Sequence, residues 1–491
     1  MRRWIVAVSL LILFSCLLIS DAEASEMGFD DATYEYETHG SGHPDYYCII
    51  TSVTSNEAIL HLPSVLEGYD VRSYSDGAFD GCSSSTLIVP KNLRAIEDGA
   101  FSGCESLKNI YFMGDRPVMG DVVPKDVVIH TMPSTTGWTN TEIIEMVTSN
   151  GIDYALLPDG AAVIGGKPTD GIISIRNEVN GNKVVRIDDY AFAGTMMDDG
   201  NVKRRSDIKT VVTNDGLQII GKRAFYYNDL TEIRISDSVK EMQDEAFRAC
   251  YNLNGVSFSD NVNHIGFETF RDCHSIMELT IPKTVRYVGD GAFYICDSLE
   301  SLNVDTNISP RMFGYCTSLR ELTLGDSVND IGHSAFYQCE SLESVKIPEK
   351  VKDIGKEAFR DCVSLKKMDL KNVENIGRMA FRGCESLRVM SIPSTVSMIE
   401  GYAFADCISL RSIDAYGMAP KGDDTVFLNV DAVIHCKGDA VDSWESSEFG
   451  LEVVGDLDGS GNAIVSLAIV GMVALSILIV IVLIMQNKGK A

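Results

Sequence analysis

Residues 354–370 read IGKEAFRDCVSLKKMDL. Cys362 follows Phe359 by three residues, and the same offset returns at Phe79/Cys82, Phe101/Cys104, Phe247/Cys250, Phe270/Cys273, Phe293/Cys296, Phe313/Cys316, Phe336/Cys339, Phe381/Cys384 and Phe404/Cys407, which accounts for ten of the thirteen cysteines. Phe192 and Phe225 keep the aromatic and lose the cysteine. From Phe225 to Phe404 the successive Phe intervals are 22, 23, 23, 20, 23, 23, 22 and 23 residues. A fixed period of roughly 20–29 residues is the mark of a leucine-rich solenoid. The predicted fold is therefore mainly β, with one short parallel strand per 22–23-residue coil and short helical or 3-10 turns on the other side.

Within a coil the apolar residues follow an L-x-x-V-x-I frame. Leu342, Val345 and Ile347, then Leu365, Met368 and Leu370, then Leu387, Met390 and Ile392 repeat it, and the last two of each alternate as a strand should. A second apolar pair such as Val351/Ile354 and the A-F-x-x-C turn complete the coil. No coil can bury its inward row alone, so stacking makes the core.

If equivalent residues of neighbouring coils lie about 4.8 Å apart, the cysteines form a column beneath the turn. We read them as buried free thiols acting as small hydrophobes. The competing reading is a chain of disulfides, which suits an extracellular chain. Stacked side chains run parallel, however, whereas a disulfide needs converging vectors and Cβ atoms about 3.5–4.5 Å apart. On this reading Cys362→Ser is expected to cost more than Cys362→Ala, by burying a hydroxyl that lacks a partner.

The two ends carry localisation signals. Arg2 and Arg3, the apolar run from Trp4 to about Ser20 and Ala22-Glu23-Ala24 have the order of a secretory signal peptide, 1–24. A lipoprotein signal at Cys16 is the rival, with Phe14 and Leu17-Leu18-Ile19 against it. Residues 463–485 carry no charge and are long enough to cross a bilayer, with Lys488 and Lys490 in a cytoplasmic tail, 486–491. The expected protein is a single-pass membrane protein with its N-terminal region outside the cell. Formal net charge is −28, and −30 without the two tail lysines. An acidic surface repels phosphate backbones, so nucleic acid is not an expected partner.

Two stretches mirror each other across the chain. IYFMGDRPVMG and DVVIHTMPSTTGW (110–138) parallel IDAYGMAPKGD and DAVIHCKGDAVDSW (413–444), pairing Gly114/Gly417, Pro117/Pro420, His130/His435 and Trp138/Trp444. Segment 45–79 likewise resembles 153–192. We therefore expect a short repeat module with caps at 25–145, a main solenoid with caps at 146–455 and a juxtamembrane linker at 456–462. Terminal units must differ because one face has no neighbour.

The combined pattern IGxxAFxxCxSLxxVxIPxxV resembles the treponemal class of leucine-rich repeats in BspA-like surface proteins, over most of 70–415. The resemblance implies a cell-surface role in adhesion to host proteins and to other cells.

Catalytic chemistry has little to stand on. No nucleophile elbow, phosphate loop, H-E-x-x-H or paired-cysteine zinc signature is present, so no enzyme, cofactor or metal is expected. His39, His43 and Asp45 lie in a Gly/Ser/Pro-rich loop whose rings need not converge. Asp456, Asp458, Ser460 and Gly461 imitate the start of a calcium loop, but its twelfth position is Leu467 inside the apolar span. Asn307-Ile308-Ser309 is a glycosylation acceptor by pattern, followed directly by Pro310. The outward strand positions, Glu232/Arg234 through Ser344/Lys346 to Ser412/Asp414, are small and polar and leave the ligand-binding residues unassigned. The expected function is adhesion or surface interaction with extracellular protein or glycan. The alternative is the ligand-binding ectodomain of a receptor that signals through a separate membrane partner.

Overall fold

The computed structural model describes residues 32–39, 47–66, 69–120, 122–196 and 202–457. The expected signal peptide, membrane span and tail, with Cys16, His43, Asp45 and residues 458–462 of the linker, lie outside the described residues. Among those described, no helix is long and apolar enough to cross a membrane.

The coils form a mainly-β solenoid with two strand ribbons where one was expected. The first ribbon carries the L-x-x-V-x-I strands. Glu278–Ile281, Ser301–Val304 and Glu321–Leu324 pair parallel and in register, Glu278 against Ser301 against Glu321. Val389–Ile392, Ser412–Ala415, Val433–Cys436 and Glu452–Val454 continue this pattern at the C-terminal end. The second ribbon is built from the second apolar pair of each coil. Asn182–Ile187, Ile219–Ile220, Glu241–Met242, His264–Ile265 and Tyr287–Val288 run parallel, with Ile187, Ile220, Met242, Ile265 and Val288 all buried.

The expected helical turns are not where they were placed. In the A-F-x-x-C turn the residues two before and two after the phenylalanine adopt left-handed backbone, as at Glu357 and Asp361 (φ 59° each). A helix cannot continue through that conformation. The turn instead hydrogen-bonds to its neighbour: the Phe336 N–H donates to Ala358 O at 2.7 Å, and Phe359 does the same to Ala380 O at 2.7 Å. The helices among the described residues are one 3-10 turn, Gly438–Ala440, and one short α-helix, Val441–Glu445.

Inside, the phenylalanines stack. Eleven rings from Phe192 to Phe427 follow one another at centroid distances of 5.1–5.6 Å and interplanar angles of 1–15°. Phe427 extends the series by one coil beyond the cysteine repeat, because Val430 stands in the cysteine's place. Phe449 then meets Phe427 edge-on (85°) and ends the stack.

Residues from Ile152 to Phe449 share one apolar core and those from Cys48 to Phe112 a second. A small third cluster, including Ile88, Met113, Met132, Ile144 and Leu157, joins the two. Antiparallel strands cover the start of each core, Ala32–His39 with Tyr47–Ser55 and Met146–Ser149 with Ile152–Leu157. The mirrored closing segments close alike: Trp138 Nε1–H donates to Gly114 O at 3.3 Å and Trp444 Nε1–H to Gly417 O at 2.9 Å.

Candidate functional site

Two surfaces gather the side chains that recognition chemistry uses. The first is a cleft of about 460 Å³ where the second ribbon faces the 57–66 segment of the first core. Strand register fixes its floor. Arg186, Ile219, Glu241, His264 and Tyr287 are successive partners, so they form one outward row. Leu62, Pro63, Val65 and Leu66 supply an apolar wall, with Tyr34 beside them.

Charged groups bind the two cores together around this cleft. His61 Nε2–H donates to Asp159 Oδ2 at 2.6 Å, while its Nδ1 accepts from Arg186 Nη1–H at 2.7 Å, which selects the tautomer with the proton on Nε2. Burial is the largest influence on the Asp159 carboxylate and works against it, but the His61 hydrogen bond, the charges of His61 and Arg186 and a backbone hydrogen bond together outweigh it and hold the pKa below the usual range. Arg186 also pairs with Asp188 (3.6 Å), and Lys91 reaches Asp188 (3.4 Å) from the first core. The buried Lys222 ammonium pairs with Asp70 of the first core. Burial opposes that charge, yet Tyr190 and Asp70 raise the Lys222 pKa above its ordinary value.

Other acids in the cleft are less well answered. Burial and then the neighbouring Asp188 raise Asp189. Burial also pushes Asp244 up to about 7, against the pull of Lys222. Its Oδ1 accepts from the Phe267 N–H at 2.7 Å, and its buried Oδ2 has no hydrogen-bond partner. His264, lowered by burial, stacks on Tyr287 at 4.6 Å.

The second surface is a ridge along the A-F-x-x-C turns. Tyr226, Tyr227, Tyr251, Tyr294, Tyr315 and Tyr337 stand half-buried on it. Tyr315 meets Tyr294 and Tyr337 edge-on, at 5.3 and 5.2 Å. Arginines lie over the rings: Arg204 over Tyr251 at 4.1 Å, Arg271 over Tyr294 at 5.0 Å and Arg360 over Tyr337 at 5.4 Å. Arg248 bridges Glu245 (2.8 Å) and Glu268 (2.7 Å) of successive coils. Burial works against Glu245, but Arg223 and Arg248 hold its pKa down. From Phe225 to Phe336 the ridge spans five coil intervals, about 24 Å at the inter-strand spacing.

The strand faces, where an aromatic cluster would mark a hot spot, present exposed polar residues such as Glu278 and Lys346 on the first ribbon. The aromatics sit one and two residues after the phenylalanine and directly after the cysteine. Tabulating those three columns would have found them; nothing local marks the cleft.

Other candidates are dispersed. His39 stacks on Tyr47 at 5.0 Å. His130 and His435 occupy corresponding strands, Val128–Thr131 and Val433–Cys436. His435 Nδ1 lies 3.0 Å from both oxygens of Asp456, so the first position of the supposed calcium loop is already engaged. Asn307 Oδ1 accepts from the Asn329 N–H at 2.8 Å. Among the described residues no group of His, Cys, Asp or Glu is arranged to hold a metal ion.

The twenty-odd-residue coil, the stacked phenylalanines and the recurring A-F-x-x-C turn define a leucine-rich repeat protein. The chain belongs to the BspA type leucine rich repeat region family, whose six copies match residues 60–121, 203–309 and 306–432. Several solved structures are similar to the chain. A leucine-rich repeat protein of Bacteroides ovatus is 20% identical, with 80% of this chain and 95% of that one covered, and a TM-score of 0.39. A leucine rich cell surface protein of Faecalibacterium prausnitzii is 20% identical over 86% of this chain and 97% of that one, with a TM-score of 0.33. A leucine rich repeat protein of T. pallidum is 23% identical over 45% and 91%, with a TM-score of 0.35. No curated protein matches the chain.

Proposed function

We propose that this is a membrane-anchored extracellular leucine-rich repeat protein that uses its solenoid surface for adhesion, or other surface contact, with protein or glycan ligands. The tyrosine and arginine ridge carries the reading. Those two residue types are enriched at energetically dominant contacts, because they combine large area with polar tips and little rotamer loss. A rigid row of them across six coils offers one continuous platform. The uncharged run 463–485 supports the anchor, and the family's scaffold suits binding better than catalysis.

An array of soluble matrix proteins and glycans tests the reading. Wild-type protein should be retained by at least one ligand. Tyr315→Asn suits the left-handed backbone there (φ 60°) and, combined with Tyr337→Ser, should weaken retention at least about tenfold with thermal unfolding unchanged. Lys346→Ala, on the exposed first ribbon, should bind as wild type. Unchanged retention by the double variant would remove the ridge from the binding surface.

A further inference from the structure

We propose that the cleft between the two cores binds an organic cation, a primary ammonium or guanidinium carried on an aliphatic stem, as at the end of a lysine or arginine side chain. This site is separate from the ridge and stands or falls independently of it.

Charge is the first argument. Arg186 and Lys222 line the cleft, but their ion pairs are with Asp188 and Asp70, which do not. Asp159 is held by His61. Glu57, Asp189, Glu241 and Asp244 also line the cleft, and among the described residues none of the four has an ion-pair partner. The cavity therefore has more acidic than basic side chains in its lining, and although Lys222 and Arg186 act on Asp189, and Lys222 on Asp244, from a distance, no cation pairs directly with any of the four. An anionic ligand would be repelled, and a desolvated cation would be held where the dielectric is low.

Shape is the second. The floor row from Arg186 to Tyr287 spans four strand spacings, about 19 Å. A volume of about 460 Å³ suits a side chain or a small molecule, not a folded partner. The Leu62–Leu66 wall is apolar enough to cover a chain of methylenes while the charged head reaches the acids opposite.

The buried Oδ2 of Asp244 is the third and most specific argument. Its carboxyl keeps one hydrogen bond, from Phe267 N–H, and leaves the other oxygen unmatched. Buried polar atoms are nearly always satisfied, so an unmatched one on a residue that lines the cleft marks where a donor is wanted. Burial raises Asp244 to about 7, so an arriving cation should expel a proton at neutral pH.

Titration calorimetry of the full chain at pH 7 and moderate salt tests this, with spermidine and a hexalysine peptide as probes and the acetylated peptide and maltohexaose as neutral controls. At least one cationic probe should saturate, with a heat that depends on the buffer's ionisation enthalpy because protons are released. Asp244→Asn retains the Phe267 hydrogen bond and the side-chain shape. That variant and Glu241→Gln should each weaken binding at least tenfold, while Glu321→Gln on the other ribbon should leave it unchanged. Binding of spermidine alone identifies a free amine as the ligand, and binding of the peptide alone identifies a polypeptide side chain. The proposal is overturned if neither probe saturates, if a neutral control binds as tightly, or if Glu321→Gln weakens binding as much as the cleft variants.

Discussion

Cys362 is buried, as expected, but it does more than fill space. Its thiol donates to Phe336 O of the preceding coil at 3.2 Å, and the same bond joins Cys250 to Phe225, Cys273 to Phe247 and so on through Cys407 to Phe381. Asn228 occupies the cysteine position after Phe225 and donates its Nδ2–H to Phe192 O at 3.0 Å. From Asn228 to Cys407 the position thus carries a small donor, which the spacing of Phe and Cys could not reveal. The expectation that Cys362→Ser is worse than Cys362→Ala is revised accordingly. The hydroxyl has an acceptor waiting, so both should cost about 1 kcal/mol by urea unfolding. Asn228→Ala should cost more, about 1–3 kcal/mol, and Asn228→Cys should recover most of it. Burial pushes Cys250, Cys316 and Cys407 up to about 12 and Cys362 higher still, and these four are free thiols. Native protein should therefore label slowly with a thiol probe, because thiolate is the reactive form. A non-reduced digest linking Cys339 to Cys362 would contradict this. Cys82 departs from the column, since the hydrogen bond with Cys104 lowers its pKa, and it should label first.

Each coil is a poor structure alone and a good one in a stack. Strands of two to four residues cannot persist in water, and the two ribbons and the A-F turn depend on the next coil for their hydrogen bonds. Phe359 lies between Phe336 and Phe381, at 5.1 and 5.3 Å, and is fully buried. Phe359→Ala should cost about 3–5 kcal/mol, and hydrogen exchange should show the loss spreading into the coils on either side. Lys346→Ala should stay within about ±0.5 kcal/mol. Equal effects would mean that the inward face of the coil is misassigned. The inward Leu, Val, Ile and Phe columns were legible in the sequence because burial imposes one residue type at each recurring position. The missing helix was not, because left-handed backbone at residues as different as Glu357, Asp361 and Ile295 leaves no compositional trace.

Across the molecule, the two cores are held by a small apolar cluster and by ion pairs that cross between them. Met132, 5% exposed, sits in that cluster. Met132→Asp would bury an unpaired carboxylate at the junction. Calorimetry should then resolve two unfolding transitions in place of one, the first core melting earlier because its apolar cluster is smaller. A single transition in the variant would show that the ion pairs alone keep the cores coupled. Stability should also respond to pH through Asp244. Its folded pKa is raised to about 7, so its favourable contribution is complete below about 4 and is lost as pH rises through 7. Asp244→Asn should accordingly raise the unfolding temperature at pH 8 and change it little at pH 4.

A period near 23 residues, with inward apolar columns locked to it, is written into each coil, because every coil meets the same packing problem and solves it with the same residues. The solenoid, its buried cysteines and its aromatic stack all follow from that. The cleft does not. His61 and Arg186 are 125 residues apart, and Asp70 and Lys222 are 152 apart. Their meeting depends on how one finished stack docks against another, and a repeat encodes contacts only with its nearest neighbours.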